Sequence, residues 1–541
     1  MNRLAAHSCP EPAGPAATPA PGGVPRRPTA APLWLCLGLP RLPLEVRSGG
    51  AHGGKDGGKD GGKNGDERGP ARVIVDRSGR VVQASARAAE SGVAAGLPLN
   101  AALALCPGLA ALERDEAAEQ AALERLAAWA GAFTSVVSLE PPAALLLEVR
   151  GSLRLFGGLE ALRARLRTAL RATGHAGRDA VAPTPLAALW LARAGQAMAV
   201  TDPAALPGRI GGLRPAVTGW PASTLAALRG LGIESLADCL RLPRDGFARR
   251  LGRGPLADLD RALGRIPDPR VAFRAPPRYR GMLELAAETT DTGRLAYALD
   301  SLFSELEGFL RARQRAVSRL VIRFGHLRRP ASELVLGLVS PGLEAAHFSA
   351  LFAERLERFA LPAPAISVAL EAEPGEPFDA ATAGLFGDGP GATAGMRLVE
   401  RLRARLGREA VHGLCLLDEH RPEQAWRIAE PGADGYRVAP AATAALDARA
   451  VSALDGMRPG WLLESPRPLP CPDGRPRFDG ALCMESGPER LETGWWDGGG
   501  IARDYWVART PAGARVWIFR DLAAQAGAGG EGRWYLHGIF G

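Results

Sequence analysis

The stretch SVVSLEPPAALLLEV limits the possible fold more than any other part of the chain. Val136–Leu139 and Leu145–Val149 have the composition of two short strands, and Glu140-Pro141-Pro142 predicts a tight turn between them. A strand pair of this kind requires a sheet in the N-terminal half of the protein. The turn carries one acid, Glu140, so the question is whether it belongs to a metal site.

Length and composition indicate a basic protein of several domains. A chain of 541 residues is long enough for about three to five domains, and 46% hydrophobic residues can supply their cores. The net charge of +8 is compatible with nucleic-acid binding. The abundance of Ala, Arg, Gly and Pro also fits an ordinary protein from a GC-rich genome, which leaves charge as weak evidence by itself.

Cysteine usage and hydropathy exclude several classes of protein. The 7 cysteines are scattered with no C-x-x-C pair, which argues against a disulfide framework and against a structural zinc site. We expect a reducing, cytoplasmic environment and no bound metal or cofactor. No apolar run reaches the roughly 18 residues that a membrane span needs, and the proline-broken start does not resemble a secretory signal.

Changes in composition divide the chain into regions. We expect a disordered tail over residues 1–31 and a flexible insertion over residues 49–69, where Gly-Gly-Lys-Asp nearly repeats. Alternating strands and helices predict an α/β and α+β multidomain protein. Residues 374–394 have the composition of a linker, and residues 395–541 form an aromatic-rich, β-containing region whose aromatics can be core or partner surface.

The segment TLAALRGLGIESLADCLRLPRDGFARRLG predicts a helix-hairpin-helix. Gly230 and Gly232 lie between two helical patterns, and Ser235 with Asp238 forms a Ser-x-x-Asp cap on the second helix. Glycines at these positions let backbone N–H groups approach a phosphate closely. We therefore expect DNA contact at Gly230 and Gly232, with a plain helical hairpin as the alternative.

The run SRLVIRFGHLRR predicts a strand with two different faces. Leu320, Ile322 and Phe324 can be buried on one face, whereas Arg319 and Arg323 lie on the other. Because this strand follows a predicted phosphate-binding hairpin, we expect both arginines to contact DNA. A solvated arginine face is the alternative.

The order of these regions, with three local motifs, resembles the Y-family translesion DNA polymerases. SARAAESGVAAGLPLNAALALCP is similar to a fingers segment, SLEPP occupies the family's Ser-Ile-Asp-Glu turn, and AVAPTPLAALWLARAG resembles its Gly-Ile-Ala-Pro-Asn-Lys segment. The resemblance implies a palm over residues 33–200 with fingers inserted at 41–118, a thumb over 201–270 that holds the helix-hairpin-helix, and a little-finger-like DNA-binding domain over 272–373.

The departures from this family fall on its catalytic positions. The resemblance places the first metal-binding acid at Cys36 and the glutamate of the turn at Pro141, so Glu140 is the one carboxylate retained of three. The family's triphosphate-contacting Tyr, Arg and Lys fall on Ala86, Ala89 and Pro185. Because phosphoryl transfer needs two divalent metals held by several oxygen ligands, we expect a degenerate, metal-free active site.

The chain resembles one catalytically inactive subgroup of this family over more of its length. SLRLFGG, DEHRPEQAW, GPERLETGWWDG, ARDYWV and WYLHGIFG resemble stretches of the polymerase-like subunit of a bacterial damage-inducible (SOS) mutagenesis cassette. This resemblance implies a nucleoid-associated hub in DNA repair and translesion synthesis that binds DNA and the replication sliding clamp. It also implies two protein partners, the RecA-like ImuA and an error-prone polymerase III α-type subunit.

The candidate clamp-binding peptide lies in the 374–394 linker. Clamp peptides of such hubs typically contain Gln-Leu-x-Leu-Phe, and Thr382-Ala383-Gly384-Leu385-Phe386 supplies the Leu-Phe end without the Gln and the first Leu. We therefore expect weak clamp affinity. A rival pair, Leu155-Phe156, lies within the palm pattern and is expected to be buried.

Two other functions remain open at this point. One is an active but divergent polymerase that uses Glu140, Glu148 and an unrecognised third acid. The other is a DNA-binding protein without clamp contact.

Overall fold

The computed structural model describes residues 31–47, 70–375, 377, 390–431, 458–522 and 533–541. The predicted insertion, the candidate clamp peptide Thr382–Phe386 and all but the last residue of the predicted tail lie outside these ranges. The described chain is an α/β and α+β multidomain protein, as predicted. None of its helices is both long and apolar enough to cross a membrane.

The N-terminal region alternates strands and helices. In chain order it contains β1 (Trp34–Gly38), α1 (Leu42–Arg47), β2 (Arg72–Val75), β3 (Val81–Ala84), α2 (Ala86–Glu90), α3 (Leu99–Leu105), β4 (Ala110–Glu113), α4 (Glu116–Ala130), β5 (Val137–Glu140), β6 (Ala144–Glu148), α5 (Leu153–Phe156), α6 (Leu159–Ala172), β7 (Arg178–Ala182) and α7 (Pro185–Arg193). These elements form two sheets.

The larger sheet has the order β5-β6-β1-β7 and is antiparallel throughout. Residues of β1 alternate between its faces: Leu35 and Leu37 pack with α4 and α6, whereas Cys36 packs with α7. The predicted strand pair is β5–β6, with Glu140 opposite Ala144 at the turn. The smaller sheet, β3-β2-β4, has its own core with α2 and α3 and lies between β1 and α4 in sequence, where inserted fingers are expected.

The next region is entirely helical. It consists of α8 (Leu206–Gly211), α9 (Ala222–Gly230), α10 (Leu236–Arg241), α11 (Arg244–Leu251) and α12 (Arg253–Ala262). Buried residues of these helices continue the core beneath α7, including Leu228, Phe247 and Leu259. This thumb-like region is therefore anchored on the sheet face that carries Cys36.

The little-finger-like region packs two helices on one face of a sheet. Its elements are β8 (Tyr279–Thr289), α13 (Thr292–Arg313), β9 (Val317–His326), β10 (Ser332–Gly342), α14 (Ala345–Leu356) and β11 (Ala365–Ala372). The antiparallel sheet has the order β10-β9-β11-β8. The predicted apolar face of β9 is fully buried, with Leu320, Ile322 and Phe324 at 0% exposure. On the opposite face, here called the open face, Arg319 is exposed and Arg323 is half-buried.

The C-terminal region adds a helix, a small hairpin and a larger sheet. Its elements are α15 (Pro390–Leu406), β12 (Gly413–Leu416), β13 (Trp426–Ala429), β14 (Trp461–Pro468), β15 (Cys483–Thr493), β16 (Ile501–Arg509), β17 (Arg515–Asp521) and β18 (Trp534–Ile539). The five-stranded sheet has the order β14-β18-β17-β16-β15. Tyr505, Trp517 and Phe519 form its aromatic core.

The region from β8 to β11, which we label the little finger after the resemblance, packs through α13 against α4 of the N-terminal region, which we label the palm. The helices approach so closely that a Cβ at Gly308 would lie 2.2 Å from Cδ1 of Trp129, and one at Gly131 would lie 3.0 Å from Cβ of Ala312. Gly308 lies in the interior of a long helix, where glycine is normally unfavourable. Close contact with the indole explains why a residue without a side chain stands there.

A buried ionic cluster crosses the same interface. Glu305 of α13 accepts hydrogen bonds from Arg125 Nε at 2.9 Å and from Tyr279 Oη at 3.1 Å. His175 donates from Nδ1 to Glu45 at 2.8 Å, and its Nε2 lies 3.8 Å from Glu305. Burial alone would lower the pKa of His175, but hydrogen bonds to Glu305 and Glu45 raise it to about 9. Two carboxylates are therefore balanced by one guanidinium and one imidazolium.

We predict that Gly308→Ala destabilises the protein although alanine is the better helix former. The added methyl group has no space beside Trp129, and overpacking of a core typically costs about 1–3 kcal/mol. Gly246→Ala, in α11, is the matched control because a Cβ there meets no atom within 4 Å, and it should be neutral or stabilising by up to about 1 kcal/mol. Urea unfolding measures both variants. Equal stabilisation by both would show that α13 and α4 do not pack this closely.

A second prediction concerns pH. Because the folded-state pKa of His175 is about 9 and its usual value is 6.5, its stabilisation is complete below pH 6.5 and is lost as the pH rises to 9. The free energy of unfolding should fall by about 3 kcal/mol over this window, as measured by urea unfolding at several pH values. The His175→Gln variant should be less stable than the wild type at low pH. Its free energy of unfolding should also change less with pH. Parallel curves for the two proteins would contradict this role.

Candidate functional site

The palm sheet brings together Cys36 and Glu140, the positions that the resemblance assigns to metal-binding acids. Cys36 pairs with Leu146 and Glu140 with Ala144, which lie two residues apart on β6, so both side chains are on one face of the sheet. Both also line a cavity of about 230 Å³ beside α7. The backbone thus places these two positions close together, and the chemistry of their side chains determines what the site can bind.

Cys36 provides no ligand for a hard metal ion. The residue is completely buried, and burial raises the pKa of its thiol well above the usual range. The thiol is therefore neutral at physiological pH. Magnesium requires oxygen ligands, so this position does not replace an aspartate.

The carboxylate of Glu140 is already bound by an arginine from the segment that follows α12. Arg270 donates from Nη1 to Glu140 Oε1 at 2.6 Å and from Nη2 to Asp268 Oδ2 at 2.7 Å. Asp268 in turn accepts the backbone N–H of Leu186, in the first turn of α7, at 3.1 Å. All three charged side chains are largely shielded from water, with at most 16% of each exposed. An internal cation thus occupies the retained acid and links it to a second carboxylate.

The remaining positions assigned by the resemblance supply no charge. Ala86 and Ala89 lie in α2, Pro141 is exposed in the turn, and Pro185 is the buried first residue of α7. The residues present therefore do not fit a two-metal polymerase site. In the described chain, no group of three or more His, Cys, Asp or Glu side chains could hold a metal ion.

Glu148, the second acid of the divergent-polymerase alternative, has a structural role. Its Oε1 accepts the backbone N–H groups of Leu33 at 3.1 Å and Arg150 at 3.0 Å. These bonds link the residue before β1 to the residues after β6 at one end of the palm sheet. The carboxylate is therefore committed to the backbone.

The predicted hairpin after α9 forms, but its amides have other partners. Ser235 and Asp238 make the expected reciprocal cap, and Gly232 adopts φ +70°. However, the N–H groups of residues 231–233 donate to carbonyls of α9, and those of residues 234 and 235 donate to Asp238. The amides of residues 231–235 thus have partners within the chain, and DNA contact at Gly230 and Gly232 stays a prediction.

The two arginines predicted on the open face of β9 differ in their surroundings. Arg323 is paired on its own sheet with Glu371 at 2.8 Å and Glu333 at 3.2 Å. Arg319 is exposed and lines a separate cavity at the edge of the sheet. The alternation was therefore predicted from the sequence, whereas the carboxylates opposite Arg323 were not.

The rival clamp pair was expected to be buried, and this expectation is wrong for one residue. Leu155 is 80% exposed, because α5 is a short surface helix. Phe156 is half-buried and stacks on Phe133 with ring centroids 5.6 Å apart. Use of this pair as an extended peptide would require that α5 unfold and that Phe156 lose its packing.

The aromatics of the C-terminal region are divided between core and surface. Trp495 and Trp496, in the loop between β15 and β16, are 76% and 60% exposed. The loop is held by Arg421, which donates to Asp497 at 2.6 Å and to Glu419 at 2.7 Å. The aromatics therefore include both a buried core and an exposed pair, and a partner surface at this pair stays a prediction.

Sequence reasoning missed Arg270 and Asp268. They lie in an irregular PDPR stretch after α12, which has no motif or periodicity that would mark it as part of the palm cleft. Arg270 reaches Glu140 across 130 residues of sequence. A contact between residues so far apart in sequence leaves no recognisable pattern in the residues around either of them.

Comparisons with known proteins point to one family. The profile of the impB/mucB/samB family matches residues 66–193. Protein ImuB of Caulobacter vibrioides is 30% identical over 468 residues, which cover 81% of this chain and 98% of that protein, and the match is the same for two strains, NA1000 / CB15N and ATCC 19089 / CIP 103742 / CB 15.

Solved structures of Y-family polymerases also match at low identity. A Dbh ternary complex shares 14% identity with a TM-score of 0.36, covering 63% of this chain and 99% of that chain. DinB from Sulfolobus solfataricus shares 15% identity with a TM-score of 0.36 and covers 63% of this chain and 98% of its own. The ImuB match carries the assignment: the chain belongs to the ImuB family of Y-family polymerase-like proteins.

Proposed function

We propose that this protein is a non-catalytic hub for translesion synthesis, which binds DNA and the sliding clamp and recruits an error-prone polymerase. The observation that carries the proposal is the ion pair between Arg270 and Glu140. A polymerase of this family would need that carboxylate for metal binding. Here it is held at 2.6 Å by a cation of the same chain.

Electrostatics supports the absence of catalysis. Two metal ions about 3.5–4 Å apart need several carboxylates to offset their mutual repulsion. Glu140 is bound by Arg270, which also pairs with Asp268, and Cys36 is a buried neutral thiol. A divalent ion at this position would have to displace a guanidinium and would gain a single carboxylate.

DNA binding is proposed mainly through the little finger, with the hairpin at Gly230 and Gly232 as a further contact. The open face of its sheet carries Arg319, and the whole chain has a net charge of +8. Contacts to phosphate by arginine give affinity without sequence readout and depend strongly on salt. A hub that acts at any lesion needs this kind of binding.

Partner recruitment is proposed for the regions after the little finger. The Leu385-Phe386 end of the linker peptide would bind the clamp, and the C-terminal region would bind ImuA and the polymerase III α-type subunit. Exposed tryptophans such as Trp495 and Trp496 are typical anchors of protein interfaces. Linked contacts raise the effective concentration of each partner even when each contact is weak.

Primer extension tests the proposed lack of catalysis. Neither the wild-type protein nor Arg270→Ala should extend a primed template with Mg²⁺ or Mn²⁺, because release of Glu140 still leaves one carboxylate. Arg270→Ala should also lower the free energy of unfolding by about 1–3 kcal/mol, since two shielded carboxylates lose a charged hydrogen-bond donor. Extension by the wild type that is lost in Glu140→Ala would overturn the proposal.

Clamp binding is tested by replacing the two candidate residues together. Leu385→Ala with Phe386→Ala should weaken binding of the full-length protein to the purified clamp at least about tenfold in surface plasmon resonance, because apolar anchors dominate such peptides. Leu155→Ala is the matched control and should leave the affinity unchanged.

Two other outcomes would change the assignment of the clamp contact. Loss of binding in Leu155→Ala alone would assign the clamp contact to α5. No clamp binding by the wild type would leave a DNA-binding protein without clamp contact, which is the alternative function.

A further inference from the structure

A cavity of about 610 Å³ lies between the little-finger sheet and α15. Strand β9 contributes Arg319 to its wall, and α14 contributes Arg355. Helix α15 contributes Arg403, and Arg408 follows shortly after its end. Guanidinium groups from separate elements thus converge on one space, which is within the size range of ligand sites.

The two carboxylates in the cavity wall are already engaged. Glu400 is buried and accepts the N–H of Val339 at 2.7 Å and Nε2 of His347 at 2.6 Å. Burial alone would raise the pKa of Glu400, but the hydrogen bond from His347 and those from backbone N–H groups lower it. Glu430 accepts hydrogen bonds from Arg403 at 2.9 Å and Arg408 at 2.6 Å.

Positive charge remains after these pairs are formed. Four guanidinium groups line the cavity with two carboxylates. Within the described residues, the side chains of Arg319 and Arg355 make no hydrogen bond or ion pair, and Nε of the largely buried Arg403 has no partner. Unpaired donors that face a common space require an anion or water.

We propose that this cavity binds a phosphate group of the DNA backbone, with Arg319 and Arg355 as its principal ligands. The inference rests on the proposed DNA binding and gives it a location. The planar guanidinium fork matches phosphate oxygens. Arg319 also lies on the open sheet face proposed to contact DNA, so a strand that follows this face would reach the cavity at the edge of the sheet.

Phosphate binding in this cavity would also affect the position of the linker in the proposed hub. One wall belongs to α15, which begins at Pro390, within the last residues of the predicted linker that carries the candidate clamp peptide. The helix is attached to the little finger through Glu400 and through ion pairs of Arg397 with Glu344 at 2.6 Å and Arg401 with Glu354 at 2.9 Å. A phosphate bound between α15 and the sheet would strengthen this attachment and would couple DNA binding to the position of the linker.

The test is fluorescence anisotropy of the full-length protein with a labelled primer–template over a range of salt concentrations. Arg355→Ala should weaken binding about three- to tenfold and reduce the salt slope by about 1, and Arg319→Ala with Arg355→Ala should reduce the slope by about 2. Arg355→Lys should have an intermediate effect. Arg358→Ala is the control, because Arg358 is exposed nearby and does not line the cavity.

The outcomes separate this site from the proposed function. Unchanged affinity and slope in the double variant, with DNA still bound, would overturn the cavity as a DNA site and leave the hub intact. No DNA binding by the wild type would overturn both. Inorganic phosphate and pyrophosphate serve as competitors. If they bind only when Arg355 is present while DNA affinity is unaffected by the variants, the cavity is a site for free phosphate and the DNA assignment is wrong.

Discussion

The arrangement of the palm and little finger depends on a single buried carboxylate, that of Glu305. It lies 1% exposed between Arg125 of the palm and Tyr279 of its own domain, with His175 beside it. A buried charge is tolerated only when opposite charges and hydrogen-bond donors compensate it. The two domains therefore share one ionic cluster, and separating them would leave uncompensated groups on both sides. The cluster holds the arginine-bearing sheet in a fixed position relative to the palm.

The palm cleft contains the positions that the family resemblance assigns to metal ligands, and an arginine lies among them. A cleft that would hold divalent cations now contains Arg270, bound to Glu140 and to Asp268. This arrangement is stable because the two ends of one guanidinium donate hydrogen bonds to two different carboxylates. Within the described residues, Arg319 and Arg355 form no ion pair and line a cavity at the far edge of the little finger, where phosphate binding is proposed.

The sequence alone determined the features that depend on local periodicity and turn chemistry. Alternating polarity placed Leu320 and Arg319 on opposite faces of β9, and the structure has them there. The spacing of Ser235 and Asp238 predicted a helix cap that is present. The order of motifs predicted the family, which the ImuB match shows. Each of these signals comes from residues a few positions apart or from the linear order of segments.

Only the tertiary structure shows which charged side chains form ion pairs with distant segments. The link from Arg270 to Glu140 spans 130 residues and the one from Arg125 to Glu305 spans 180. The exposure of Leu155 was likewise visible only in the tertiary structure. Local patterns give the direction of a side chain relative to its own helix or strand. They do not say which group of a distant segment will face it, because that depends on how whole elements pack and on which buried charges must be compensated.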